Sequence, residues 1–438
     1  MNFDQIFSRK NLHQYFDYFA VFIIIFYAGK ASVFVQALDS WNHPIGFILP
    51  IVTFALAVFV KNVRFNHRFW LMIGGFTLYI IASTIKFAEL HPKFYLNNII
   101  FITITYIAIA AFQYRFLLIY ENILYYLCII GIVLWVGINA SPAVIDFLRV
   151  FEFSTQEFKP GNIDYNLIVF TVNDYDFIPQ YILKFGGFQL YRNSGFAWEP
   201  GAFSVYICIA ILFHLLRNKF RITNNRHLWV FIIALATTFS TTGYSMLILL
   251  IVFYIYNQQV HKVAWIGPVV VILIAYLFTL PFMAEKIAQN TEFNTDELIY
   301  YSSKYDIKYQ PQRFESLQID FKDFINHPII GYGGHLEARW TAQLGANIAT
   351  VSGIGKIMAQ YGIVGLVFFL FSIWRSSQKL VTFYKLRGII FPMAFVLLIS
   401  ISYSVVSPLI MCLWLFYLPD FYKTEVAQRY LLAQYLKK

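Results

Sequence analysis

The sequence predicts an all-α polytopic membrane protein of about twelve transmembrane helices with two long extracytoplasmic loop segments. Three observations lead there. Of 438 residues, 59% are hydrophobic and 13% charged, with a mean hydropathy of +0.60, whereas soluble domains carry about a quarter charged residues. Apolar runs near the roughly 20 residues that cross a bilayer recur from end to end. Basic residues crowd into alternate connections between those runs, as the positive-inside rule requires. A cytosolic globular enzyme, a disordered chain and a fibrous repeat are excluded.

The expected spans are 15–36, 44–61, 69–86, 96–114 and 116–138, then 200–216, 228–241, 243–257 and 263–283, and last 352–374, 388–404 and 406–422. The chain divides accordingly into five N-terminal helices (1–138), a first extracytoplasmic segment (139–199), helices six to nine (200–283), a second extracytoplasmic segment (284–351), and helices ten to twelve with a cytoplasmic tail (352–438). With both termini in the cytoplasm, 19 of the 33 Lys and Arg residues fall on that side, and the short outer connections hold only Lys30, Lys86 and Lys93. The others lie in or beside the two long outer segments, where 16 acidic residues balance them. The net charge of +10 thus reflects topology and points to no nucleic-acid partner. Arg9 and Lys10 precede the first apolar run with no small-residue cleavage site after it, which reads as a retained span. Cys128, Cys208 and Cys412 lie far apart inside apolar runs, in no disulfide or zinc pattern. Spans seven and eight, each near 14 residues, meet at Ser240-Thr241-Thr242-Gly243, so short helices lining a polar pocket are expected there. The tail from Glu425 reads as an amphipathic interfacial helix.

Four places could carry chemistry. In Tyr191-Arg192-Asn193-Ser194-Gly195-Phe196-Ala197-Trp198-Glu199-Pro200-Gly201, Pro200 suits the first turn of a helix whose N–H groups and positive dipole end face outward. Arg192 adds a planar donor that can hold phosphate in a bidentate way, and Glu199 is either a base or the counter-ion of Arg192. Arg313 opens a helix with an apolar stripe at Phe314, Leu317, Phe321 and Phe324. The glycine-bearing run His327-Pro328-Ile329-Ile330-Gly331-Tyr332-Gly333-Gly334-His335 follows it, and His335 is either a general base or a solvated loop side chain. Lys356, within the first turns of the tenth span, must snorkel outward or pair with an anion; Glu121 in the fifth span reads as structural. Asp174-Tyr175-Asp176 has a metal-holding spacing, but such pairs arise readily by chance, and no metal or cofactor is assigned. Nucleotide-binding, zinc-protease and hydrolase motifs are missing.

The run Arg192-Asn193-Ser194-Gly195-Phe196-Ala197-Trp198-Glu199-Pro200 resembles the R-x-S-G-hydrophobic-x-x-E-P motif of bacterial O-antigen, capsule and exopolysaccharide polymerases of the Wzy type, relatives of the O-antigen ligases. Ser240-Thr241-Thr242-Gly243-Tyr244 is similar to their S-T-T-G turn. Arg313 through Gly333 is similar to their R-x(n)-h-P-hydrophobic-hydrophobic-G-x-G stretch, and Tyr361-Gly362-Ile363-Val364-Gly365 to their y-G-I-x-G. The likeness covers about residues 185–370, in order.

That resemblance implies a GT-C-like membrane glycosyltransferase of the bacterial cytoplasmic membrane. Such an enzyme passes a sugar repeat from undecaprenyl pyrophosphate to a hydroxyl of another lipid-linked glycan, by metal-independent inverting transfer. Its partners are the lipid-linked oligosaccharide, the bilayer and, in such systems, a chain-length regulator protein. The implied pyrophosphate-binding residues are Arg192, Arg313 and Lys356, and Ser240, Thr241, Thr242, Tyr244 and Trp198 would line the pocket. His335 and Glu199 are the candidate bases, because Val351-Ser352 stands where a ligase has a histidine. Two rivals remain. A lipid-linked oligosaccharide flippase or other transporter would ordinarily have shorter outer loops and more in-span charges, and a ligase would need that histidine.

Overall fold

The computed structural model describes residues 9–28, 48–113, 115–141, 143–144, 147, 152–155, 165–168, 173–174, 182–185, 188–197, 199–218, 220, 222, 225–257, 299–300, 302–304, 311 and 313–403. Five helices come first: α1 (Arg9–Ala28), α2 (Ile48–Lys61), α3 (His67–Phe87), α4 (Pro92–Phe112) and α5 (Arg115–Ala140). After a stretch of short strands come α6 (Pro200–Arg217), α7 (Arg226–Thr237) and α8 (Thr241–Asn257), then α9 (Arg313–Asn326), α10 (Gly353–Phe383) and α11 (Ile390–Ser402). Among the described residues, α3, α4, α5, α6 and α10 are long and apolar enough to cross a membrane, and α1, α2, α7, α8 and α11 contain shorter apolar stretches. All ten coincide with expected spans; those expected at 263–283 and 406–422, and the tail, lie outside the described residues.

Local chemistry sets the helix starts. Asn66, Asn225 and Ser352 each accept a hydrogen bond from the amide three residues on, and Pro92 and Pro200 occupy first-turn positions where no donor is lost. α6 is the axis of the bundle. Every residue from Pro200 to Leu216 is buried, packed among α5, α7 and α8. Phe59, Leu78 and Ile85 on α2 and α3 point outward instead, an arrangement for which a bilayer is the matching solvent. Cys128 and Cys208 are buried free thiols.

Two features depart from the expectation. The first long segment is not purely irregular or helical. β1 (Glu152–Thr155), β2 (Tyr165–Ile168) and β3 (Asn173–Asp174) pair antiparallel, as do β4 (Ile182–Phe185) and β5 (Phe188–Tyr191). In the second pair Phe185 stands opposite Phe188 and Ile182 opposite Tyr191. This pair docks on α5, where Trp135 donates to the Tyr191 carbonyl (2.6 Å) and Asn139 accepts from its amide (2.8 Å).

The second departure is in α9. Its apolar residues Phe314, Phe321 and Ile325 are exposed, and the face buried against α10 is polar: Glu315, Ser316, Asp320 and Asp323, with Ile319. Of the expected apolar stripe, Phe314 and Phe321 therefore face outward, while Leu317 and Phe324 are half-buried. α10 is itself broken at Gly362, whose φ of 64° and ψ of −158° suit glycine alone. Residues 328–333 fill that break. The amides of Tyr332 and Gly333 donate to the Ala359 and Gln360 carbonyls (2.9 Å each), and the amide of Ile363 donates to the Pro328 carbonyl (2.7 Å). Backbone meets backbone so closely that a Cβ on Gly331 would lie 2.2 Å from Gln360, and one on Gly362 would lie 2.4 Å from Ile329.

Candidate active site

The site forms around the turn between α7 and α8. Thr238 and Thr237 end α7, Phe239 takes a left-handed φ of 46°, and Thr241 begins α8. The short helices foreseen from the Ser/Thr/Gly composition are present. The Ser240 hydroxyl accepts from the Gly243 amide (3.2 Å) and bonds the Ser204 hydroxyl (3.0 Å), tying the turn to α6. Gly243 is required by that contact, because a Cβ there would lie 2.6 Å from Ser204.

Arg192 and Arg313 both reach this turn. Buried Arg192 donates Nε–H to the Thr238 carbonyl (3.0 Å). Its neighbour Asn193 donates to the Thr237 hydroxyl (2.9 Å) and, through its amide, to the Thr237 carbonyl (2.9 Å). Arg313 donates to the Thr242 hydroxyl (3.1 Å), to the Tyr403 hydroxyl (2.9 Å) and to Glu199 Oε1 (3.2 Å), with the Tyr403 ring 4.8 Å from its guanidinium carbon. Two guanidinium groups far apart in sequence thus meet one Ser/Thr turn. Glu199 pairs with Arg313, where the sequence reading offered Arg192 as its counter-ion.

Glu199 is the residue before Pro200, extended in backbone, so its carboxylate stands at the N-terminus of α6 without capping it. Gly201 permits this closeness, since a Cβ there would lie 2.1 Å from the Tyr403 hydroxyl and 3.5 Å from Arg313 Nη2. The side chains of Arg313 and Glu199 remain 32% and 21% exposed, open enough for a ligand to reach them. Tyr244 bonds the Ala236 carbonyl (2.8 Å) and feels the charge of Arg192. Trp198 lies outside the described residues, as does Asp176 of the Asp-Tyr-Asp run, while Asp174 stands in β3.

The structure places His335 against α3 and the connection to α4. His335 is 3% exposed, its ring stacked on Phe87 (4.2 Å) and edge-on to His91 (4.3 Å). The solvated-loop alternative is thereby overturned. It sits on the segment following the far end of α9, a helix about 20 Å long at 1.5 Å per residue, which begins at Arg313. Burial and the adjacent His91 lower its proton affinity below the ordinary histidine value. Lys356 acts electrostatically on Asp320, at the polar face of α9.

A third arginine escaped the sequence reading. Arg339 donates to Asp323 (2.8 Å), to Asp320 (3.3 Å) and to the Ile348 carbonyl (2.8 Å), all buried. Burial raises the proton affinity of both aspartates, and Arg339 opposes it. Asp320 and Asp323 at i, i+3 on a short helix were the available signal, since two acids on one face need a cation when they turn inward. Two further charge clusters lie in the helices. Asp17 pairs with Lys61 (2.5 Å) and Arg115 (2.7 Å), and Glu121 meets His214 and Arg217, consistent with a structural Glu121. No protein-family model and no curated protein matches this chain.

Proposed function

We propose that the chain is a polysaccharide polymerase of the bacterial cytoplasmic membrane. It transfers a glycan from an undecaprenyl-pyrophosphate-linked repeat to the hydroxyl of another lipid-linked glycan. The observation that carries this reading is the convergence of Arg192 and Arg313 on the Thr237–Thr242 turn, beside the N-terminus of α6. As the anomeric C–O bond breaks, negative charge grows on the departing pyrophosphate, and planar donors gathered beside a folded turn stabilise it. The α6 dipole adds to that field.

The base in this reading is Glu199. Arg313 is paired with it at 3.2 Å, and a pyrophosphate that draws the guanidinium away leaves the carboxylate to accept the acceptor hydroxyl's proton. The acceptor oxygen then bonds the anomeric carbon from the face opposite the leaving group, inverting it, and the pyrophosphate leaves on the arginines. No metal is needed for this step. Incubating purified protein with lipid-pyrophosphate-linked repeats tests the proposal: a ladder of products on a gel supports it, and a single added block makes the chain a ligase.

Transport is the second reading, favoured by the buried charges at Asp17 and Glu121, which helices of a carrier use to couple ions. Movement of the lipid-linked repeat across a vesicle membrane without any covalent product would establish it in place of the polymerase.

A further inference from the structure

We infer that Glu89, His91 and His335 form a binding site for a divalent transition-metal ion, with Zn2+ the best match, at the junction of α3, α4 and the glycine-rich segment before His335. One ligand atom from each of the three lies within 4.8 Å of the others. A tetrahedral zinc site with bonds of about 2.1 Å places its ligand atoms about 3.4 Å apart. His91 Nε2 already stands 3.6 Å from Glu89 Oε1, too long for a hydrogen bond and close to the edge of such a tetrahedron. The Glu89 side chain is 65% exposed and free to swing the remaining distance.

A second observation points to a ligand. His91 Nε2 and His335 Nε2 are both buried and both lack a hydrogen-bond partner, an arrangement that folded proteins avoid unless something else occupies those lone pairs. Nitrogen and carboxylate ligands of this kind suit zinc and its neighbours rather than calcium or magnesium. Three protein ligands leave a fourth position for water.

The backbone is built to deliver His335 there. Gly333 has a φ of 61°, and a Cβ on it would lie 2.7 Å from the Ser83 hydroxyl; a Cβ on Gly334 would lie 2.7 Å from Phe94 and 3.1 Å from His91. Only glycine lets this segment lie flat against α3 and α4. The His335 amide donates to the Tyr332 carbonyl (3.1 Å), and Tyr332 is in turn held by Ala359 of α10. The ion would therefore clamp the α3–α4 connection to the break in α10, apart from Arg192 and Arg313 and independent of the transfer reaction.

The test is metal binding by the purified full-length protein in detergent, stripped with chelator and titrated with Zn2+. One ion per chain is expected, with affinity weakened at least tenfold in His91→Ala and in His335→Ala and unchanged in His327→Ala. Absence of stoichiometric binding, or equal affinity in all three variants, overturns the site. Should the alanine variants fail to fold, X-ray absorption on the Zn2+-loaded wild type decides: two imidazoles and oxygen in the first shell support the site, and a shell without histidine overturns it. Because the readout is bound metal, it stands whether or not the chain makes polymer.

Discussion

Arg313 and Arg339 are two arginines that both grip carboxylates around α9, yet they occupy opposite physical regimes. Arg339 is buried, spends Nε, Nη1 and Nη2 on two aspartates and a carbonyl, and closes the second long segment onto α9. Arg313 is a third exposed, shares its donors among a hydroxyl of α8, a tyrosine hydroxyl and one carboxylate at 3.2 Å, and faces the N-terminus of another helix. A guanidinium enclosed by its own counter-charges is scaffold. One that is a third exposed, bonded to hydroxyls and paired with a carboxylate at 3.2 Å, can exchange a partner for an incoming anion. The difference lies in the surroundings of the two groups and not in the residue.

The sharpest way to break that comparison is Arg339→Met. It strands two buried carboxylates and should cost about 3–5 kcal/mol, read as lost thermal stability in detergent. The same region sets a pH dependence. Burial holds Asp320 above the ordinary carboxylate value, so between about pH 4 and neutrality the folded state keeps a proton the unfolded chain has lost. Stability contributed by that proton is present at the low end of the window and falls as pH rises through it. In Asp320→Asn the slope should flatten; an unchanged slope would assign it to another group.

Arg313→Lys should act on activity instead. Replacing the fork by a point charge lowers polymer formation about 10²-fold, with a melting temperature close to wild type. A large stability loss with normal specific activity would place Arg313 among the scaffold residues with Arg339. Gly362→Ala comes next. It forces a side chain into a backbone conformation reserved for glycine and against the Ile329 carbonyl, and should cost about 1–3 kcal/mol, measurable by thermal unfolding. The smallest effect is expected from Thr242→Val, which removes one neutral hydrogen bond to Arg313, about 1 kcal/mol or roughly fivefold in rate.

Much of this was legible in the chain. Apolar runs gave away every described helix of the bundle, because lipid admits only backbone that satisfies itself. The Pro200 helix start, the α7–α8 turn and the Arg313 helix start stand where the residue types put them. The gathering of Arg192 and Arg313 at one turn was only implied by resemblance. Less legible was the orientation of α9, whose apolar period is real but whose buried face is the acidic one. Periodicity reveals that a helix has two faces, and it assumes that the apolar one is buried; a buried arginine that draws the acidic face inward inverts the assumption.

His335 shows the same limit. Its glycine-rich approach was visible, and it suggested a residue delivered to a ligand. The destination depended on Glu89 and His91, more than two hundred residues earlier, which nothing local in the sequence connects to it. Hydropathy and charge bias along the chain determined that the protein is helical and built for a membrane, since transfer free energy acts on each segment separately. Which arginine is enclosed and which is open, and which histidine meets which, was decided only in three dimensions. Burial and charge pairing are properties of surroundings, and folding assembles those surroundings from distant parts of the chain.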